Sequence, residues 1–386
     1  MKLLIVHNDY GRHSGEESVV ERMEADMRAD GVEVETLRRS SKFFRESVLA
    51  RAKAFLAGVH SGEGVAMMRE ALRTFRPDVV NVHNLYPFIS PAALKECRKA
   101  GVPVVMTVHN YRLVCPTGLF LRQGKPCEEC LLRHHEMPCL LHNCEGSLPR
   151  SLAYALRNAV ARIGRYYLNN VNRYVCLTQF QQQKLVAFGY PKERMVVIPN
   201  YVEACAEPMQ ERHGNYVAYA GRASHEKGYD LLLEVARRHP ETEFRLAGGG
   251  FGEGAAHSHN VVFCGNLSGA ALDDFYRQAA FVAIPSRCYE GLPMTLLEAM
   301  AHGKACIVPA HGAFPDLIGM GDTPCGLTFA PGDVDALETA ILTLRDDSDL
   351  MARLGHNARQ AARTRFSRQA VMSQWHTLLS QVAAKA

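Results

Sequence analysis

Short apolar runs alternate along this chain with longer stretches whose apolar residues recur at helical spacing. Lys2 to His7 is an apolar run, Asn8 to Gly15 a polar loop, and Glu16 to Asp30 has a helical period that stops at Gly31. The same alternation predicts strands at Val32 to Leu37, Val79 to Val82 and Val104 to Val108, with helices near Glu46 to Ala57, Gly64 to Phe75 and Pro91 to Ala100. Strand, loop, helix, strand repeated in this way predicts an α/β fold with a doubly wound parallel sheet. In such open sheets ligands collect at the carboxyl ends of the strands, so Gly15, His83 and His109, each following a strand, are expected to share one crevice.

The rhythm stops between Asn110 and Ser147, a segment with five cysteines: Cys115, Cys127, Cys130, Cys139 and Cys144. Cys127-x-x-Cys130 places two thiolates on one turn, as structural zinc sites begin, and Cys115 with Cys144 could close a tetrahedron. No second Cys-x-x-Cys follows, and a loop of reduced thiols is the other reading. Next, Gly146 to Lys192 holds no acidic residue, while Leu148, Leu152, Leu156, Val160, Ile163 and Tyr167 share one helical stripe and Arg150, Arg157 and Arg165 lie opposite. Either this is a surface helix with a solvated basic face, or its arginines meet anionic lipid headgroups or a lipid-linked pyrophosphate.

Val175 to Thr178, a helix to Phe188 and Met195 to Ile198 complete the first half, and the weakly periodic Val202 to Asn215 reads as a linker. The second half repeats the plan, opening with the strand Tyr216 to Ala220. Arg222 and Lys227 bracket the next loop, and a guanidinium fork beside an ammonium suits a diphosphate. Strand Glu243 to Ala247 runs into Gly248 to Gly252, which lacks the G-x-G-x-x-G spacing of a dinucleotide fingerprint. After an apolar run to Pro285, the stretch SRCYEGLPMTLLEAMAHG places Glu290 in a loop and Glu298 in a helix that starts at Pro293 and stops before Gly303. The free N–H groups of that helix start favour a phosphate, so a ligand bearing both hydroxyls and phosphates is expected. Helices Val334 to Arg345, Leu350 to Arg365 and Arg368 to Ala384 close the chain.

At 386 residues the chain is long enough for two or three domains, and 47% hydrophobic content supplies a core. A net charge of +4 gives no case for nucleic acid. No run of about 18 apolar residues is present, and His7, Asn8 and Asp9 interrupt the apolar start, so the expected location is the cytoplasm, with contact at the inner face of the plasma membrane if the arginine block meets lipid.

Glu290-Gly-Leu-Pro followed by Glu298-Ala-Met-Ala-x-Gly, together with Gly221-Arg222-(x)4-Lys227-Gly228 and Thr107-Val108-His109-Asn110, resembles the group 1, or family 4, nucleotide-sugar glycosyltransferases. The resemblance spans nearly the whole chain and implies the GT-B fold, two Rossmann-like domains facing across a cleft. The expected division is an N-terminal acceptor domain over 1–205, with the Cys-rich insertion at 110–147, and a C-terminal donor domain over 206–366. The last helix, 367–386, is expected to return to the first domain. It implies that Arg222 and Lys227 hold the donor diphosphate and that Glu298 takes the ribose hydroxyls. Glu290 would serve the sugar or its developing positive charge, and Gly291, Leu292 and Pro293 the phosphate through backbone amides. His109 would lie beside the sugar, the Gly15 loop would approach the donor phosphate or the acceptor, and Gly249 would approach the donor. The implied reaction is transfer, with retention and no catalytic metal, of a sugar from a nucleotide diphospho-sugar to a saccharide or lipid-linked acceptor in cell-surface polysaccharide synthesis. The alternatives are a sugar-nucleotide epimerase and a non-catalytic nucleotide-sugar-binding subunit on the same fold.

Overall fold

The computed structural model describes residues 1–10, 14–40, 57–203, 214–251, 258–319 and 323–385. The chain divides into two units, one of residues 1–118, 128–198 and 373–386, the other of 119–127 and 199–372. Most of the helix expected near Glu46 to Ala57 and most of the linker after Val202 fall outside the described residues.

The first unit opens with β1 (Lys2–Asp9), whose Leu3 to Val6 are fully buried, and α1 (Gly15–Ala29). β2 (Glu33–Ser40), α2 (Gly62–Phe75), β3 (Val79–Asn84), α3 (Leu94–Lys99) and β4 (Val104–Val108) follow. Then come the two-residue strands β5 (Leu121–Arg122) and β6 (Lys125–Pro126) and the short helices α4 (Glu129–Arg133) and α5 (Met137–Leu141). After α6 (Leu148–Ile163) and α7 (Tyr166–Asn170), β7 (Arg173–Cys176), α8 (Gln179–Phe188) and β8 (Met195–Val197) finish the sheet. β7 stops two residues before the expected Thr178, because that side chain caps α8 by accepting from the Gln181 amide. All pairings in the sheet are parallel and its order is β2-β1-β3-β4-β7-β8. The order reverses at β1, so the crevice beyond the carboxyl ends of β1 and β3 is where a ligand is favoured.

The second unit repeats that logic. It contains β9 (Tyr216–Ala220), α9 (Tyr229–Arg238), β10 (Glu243–Ala247), β11 (Val261–Gly265), α10 (Ala270–Gln278), β12 (Ala279–Ala283) and α11 (Met294–Ala301). β13 (Cys306–Pro309), α12 (Phe314–Leu317), β14 (Gly326–Phe329), α13 (Val334–Asp346) and α14 (Ser348–Thr364) complete it. Its sheet is parallel in the order β11-β10-β9-β12-β13-β14, with the reversal at β9. Val217, Phe244, Leu246 and Ile307 from the strands and Leu232, Val235, Leu337 and Ile341 from the helices share one buried core. The last helix, α15 (Arg368–Ala383), is divided: its residues from Ser373 onward belong to the first unit, where His376 Nε2 lies 2.8 Å from Asp30 Oδ2.

Two expectations change in the segment after β4. Residues 119–127 of the Cys-rich stretch group with the second unit, where the Tyr289 amide donates to Leu119 O at 3.3 Å. On α6 the predicted apolar stripe is not the buried one: Ser151, Ala155, Asn158 and Ala161 are buried, whereas Leu148, Leu152, Leu156 and Ile163 are exposed. Small residues let the backbone of α6 approach the loop after β4, which Asn158 and Arg157 then hold by donating to the carbonyls of Arg112 and Pro116. Two of the arginines are matched by acids from outside their acid-free block. Arg150 pairs with Glu145 at 2.9 Å and Arg162 with Glu136 at 2.9 Å, while the Arg157 guanidinium stacks on Tyr86 and Tyr154.

Candidate functional site

In the second unit the site is built where the loops after β9, β10 and β12 meet. Gly228 has φ +70°, and a Cβ placed there would stand 1.9 Å from Pro285 O, so only glycine lets these two loops touch. Gly248 is equally constrained: φ is +134° and its Cβ would stand 1.9 Å from Gly221 O. Ala223 N donates to Gly249 O at 3.0 Å, which ties the Arg222 loop to the glycine turn.

This scaffold sets Lys227 Nζ 2.7 Å from Glu290 Oε1, which also accepts from Ser286 Oγ at 2.8 Å. Burial alone would push the Lys227 ammonium down and the Glu290 carboxyl up. The opposite charge of each outweighs burial for the other, so the lysine is held above and the glutamate below its ordinary range. Both are therefore charged, a fixed ammonium beside a fixed carboxylate. Arg222 extends outward, with its side chain 72% exposed and Nη2 3.2 Å from Glu226 Oε1. Arg287 underpins the floor by a two-pronged pair with Asp230, both bonds 2.6 Å, and by donating to His225 O.

α11 begins beside this pair. Its N-cap, Pro293, is extended (φ −71°, ψ 125°), and no side chain caps the first turn. One sequence expectation needs correction here: Pro293 has no amide hydrogen and cannot donate to a phosphate. Its fixed φ instead sets the start of α11, whose first amides belong to Met294 and Thr295. Gly291 and Leu292 are buried in the loop before it. Glu298, one turn further, accepts at 3.0 Å from the hydroxyl of Tyr276, a buried α10 residue that stacks on His302.

In the first unit, a buried polar group occupies the carboxyl ends of β1, β3 and β4. His83 Nδ1 and His109 Nε2 are 2.7 Å apart, one donating and the other accepting, with the rings stacked at 5.0 Å. Burial holds His83 well below its ordinary pKa and His109 at about 3, so both imidazoles are neutral at ordinary pH. A small pocket here is lined by His83, His109, Asn110, Arg112, Tyr86 and Tyr167. Next to it, Tyr10 OH donates to Glu16 Oε2 at 2.9 Å and accepts from Arg112 Nη1 at 2.8 Å. Burial raises the Glu16 carboxyl and lowers His7 to about 4, although each acts against that shift in the other. Gly15 opens α1 behind the Ser14 cap, and a Cβ on it would meet nothing within 4 Å.

His7, Asp9 and Glu17 offer three ligand atoms within 4.8 Å of one another. Two of them are committed elsewhere: Glu17 accepts the Tyr10 and Ser14 amides and Asp9 carries Arg38, while neither buried ring nitrogen of His7 makes a hydrogen bond. A larger cavity lies at the amino ends of β4 and β7, among Arg98, Arg173 and Arg194, and no sequence motif reaches it.

Residues 13–204 match the profile of Glycosyltransferase Family 4, and residues 207–361 that of Glycosyl transferases group 1. The chain belongs to the group 1 glycosyltransferases. Glycogen synthase of Mycobacterium tuberculosis is 25% identical over 332 residues, which is 80% of this chain and 72% of that protein. An α-D-kanosaminyltransferase of Streptomyces kanamyceticus is 25% identical over 302 residues, 73% of this chain and 70% of its own. Among solved structures, sucrose-phosphate synthase of Thermosynechococcus elongatus superposes over all of both chains with a TM-score of 0.72 at 16% identity. Anabaena Alr3699/HepE in complex with UDP-glucose gives 0.66 at 17% identity, over 99% of this chain and all of the other. These neighbours share its GT-B fold.

For a group 1 glycosyltransferase, the structure groups Arg222, Lys227, Gly249, Glu290, Gly291, Leu292 and Pro293 on the loops of one unit and Glu298 on its helix α11. His109 and Gly15 belong to the other. Tyr276, Ser286, Asp230 and Arg287 were missing from the sequence reading. Only Asp230 and Arg287 carried any signal, as a lone acid at a helix start and a lone Arg inside an apolar motif.

Proposed function

We propose that the protein is a retaining glycosyltransferase that moves a hexosyl group from a nucleotide diphospho-sugar to a saccharide or lipid-linked saccharide in cell-surface polysaccharide synthesis. The observation that carries this reading is the Lys227–Glu290 pair, 2.7 Å apart beside the uncapped start of α11. A fixed ammonium and free amides suit a departing diphosphate, and a carboxylate at the same spot suits sugar hydroxyls and the positive charge of an oxocarbenium-like transition state. In the reaction the bond from the anomeric carbon to the diphosphate oxygen breaks and the diphosphate keeps the electron pair. The acceptor oxygen attacks the same face and gives up its proton to the leaving phosphate oxygen, so no protein base is required. Arg222 and Lys227 take the diphosphate, Glu298, steadied by Tyr276, the ribose hydroxyls, and Glu290 the sugar. The neutral imidazole of His109 serves sugar hydroxyls as a hydrogen-bonding group without charge.

The UDP and UDP-glucose held by Alr3699/HepE make uridine donors the first to test. UDP or its sugar conjugate at about 100 times its Kd should stabilise the protein by about 2.7 kcal/mol, with no need for magnesium. A thermal-shift screen against UDP, GDP, ADP and their sugars that moved with none of them would defeat the reading. Products formed without any acceptor would point instead to an epimerase.

We further propose that the acceptor side of the protein rests on a lipid surface, through apolar contact rather than arginine charge. Of the nine exposed large hydrophobic side chains among the described residues, seven fall between Leu132 and Ile163 on α4, α5 and α6, with Leu132, Leu141 and Ile163 each over 70% exposed. No described helix is long and apolar enough to cross a membrane. Flotation with vesicles should survive high salt and fall several-fold in Leu152→Ser/Leu156→Ser. Binding that salt abolishes, or that the double variant leaves unchanged, would exclude this contact.

A further inference from the structure

The larger cavity of the first unit, of about 400 Å³, has four cationic side chains in its walls and no acidic one. Arg98 comes from the last turn of α3, Arg173 from the start of β7, Arg194 from just before β8 and Lys385 from just beyond α15. Two of the guanidinium groups are held by backbone carbonyls instead of carboxylates. Arg194 Nη1 donates to Leu168 O at 2.9 Å, near the end of α7, and Arg173 Nη1 donates to Asn172 O at 3.0 Å. The side chains of Arg98 and Lys385 make no hydrogen bond or ion pair among the described residues. Elsewhere in this unit Arg38, Arg69, Arg150 and Arg162 each face a carboxylate. Four positive charges around one concavity repel one another, and an anion seated among them relieves that repulsion.

The cavity is also built, since its border is fixed by hydrogen bonds. The Asn172 amide donates to Val104 O, and Asn172 Oδ1 accepts from the Val104 amide, both at 2.9 Å, which ties β4 to β7 at their amino ends. With Oδ1 used in this way, the Asn172 side chain keeps both of its N–H donors, and Asn169 adds a second side-chain amide to the lining. Guanidinium forks pair with phosphate oxygens two at a time, and an ammonium adds a point charge. The volume falls within the roughly 300–1,000 Å³ of small-molecule sites. β4 leads from this cavity to His109, and at ~3.3 Å per residue the stretch from Pro103 to His109 spans roughly 20 Å. An occupant here therefore does not reach the crevice at the carboxyl ends of the strands.

We propose that this cavity binds a soluble small molecule carrying a di- or triphosphate, at a site separate from sugar transfer. Lys385 follows α15, whose residues from Ser373 onward belong to this unit, so the bound anion joins the end of the last helix to the amino end of the sheet. The inference stands independently of the donor reading.

The test is titration calorimetry of the full chain with inorganic tripolyphosphate, at low salt and without magnesium. Binding is expected, weakened on the order of tenfold or more in Arg98→Glu/Lys385→Glu and by raised salt. Neither side chain has a bonding partner to lose, so the unliganded melting temperature of this variant should stay near that of the wild type, and its response to UDP should be unchanged. Arg98→Gln/Lys385→Gln, which places no acid in the cavity, should weaken binding less and in the same direction. Amide exchange in the last turn of α15 should slow when tripolyphosphate is bound. The site would be overturned by a wild-type chain that takes up no tripolyphosphate at millimolar concentration, or by binding that both double variants leave unchanged. Low-salt flotation with phosphatidic acid vesicles that needs Arg98 and Lys385, in a chain that ignores tripolyphosphate, would assign the cavity to lipid headgroups and overturn the soluble ligand.

Discussion

Lys227→Ala is expected to lower kcat/KM on the order of 10²-fold, about 2.7 kcal/mol of transition-state stabilisation. The lysine is three-quarters buried and directed at Glu290, so its ammonium stays in place without a donor and need not reorganise when the diphosphate begins to leave. The same substitution has a second effect that must be separated from the first. It leaves the Glu290 carboxylate buried without the Lys227 ammonium that offsets its burial, which raises its pKa and destabilises the fold. Lys227→Ala/Glu290→Gln removes the buried carboxylate charge as well, so it should recover much of the stability and none of the activity. Sugar transfer at limiting donor and urea midpoints of both variants measure the two effects. Near-normal kcat/KM in Lys227→Ala would rule the lysine out of the diphosphate site.

How much of this was legible in the sequence follows from how far apart the interacting residues are. The strands of both sheets were legible because a parallel strand covered on both faces is one continuous apolar run, as Leu3 to Val6 is. Arg222, Lys227, Glu290 and Glu298 were legible because each belongs to a local motif with its own turn chemistry. That Lys227 and Glu290 form an ion pair was not: they are 63 positions apart, and spacing says nothing about which loops meet. Tyr276 was hidden for the same reason, since its hydroxyl reaches Glu298 from a helix 22 positions earlier. On α6 periodicity identified the helix but the wrong buried face. Burial there follows close backbone approach, which Ser151, Ala155 and Ala161 permit and the leucines do not.

Gly228→Ala is expected to destabilise the second unit by about 3 kcal/mol, from left-handed backbone strain and overpacking together. The methyl group would start 1.9 Å from Pro285 O and 2.9 Å from Pro285 C, both backbone atoms that no side-chain rotation can move aside. For a unit of this size the melting temperature should fall by roughly 6–12 °C. The damage is directed, because Lys227 immediately precedes the substituted residue and Ser286 immediately follows the displaced one. Parting these loops lengthens the Lys227–Glu290 contact and moves Ser286, so nucleotide affinity should fall along with stability, and chaperone or osmolyte rescue of folding should not restore it. Gly15→Ala is the contrasting case, with open space at its Cβ and an ordinary helical start, so its melting temperature should be unchanged. A loss of activity in Gly15→Ala at full stability would then report a ligand approaching that backbone. A wild-type melting temperature in Gly228→Ala would mean that the loops after β9 and β12 do not touch as described, and the site built on their contact would fail with it.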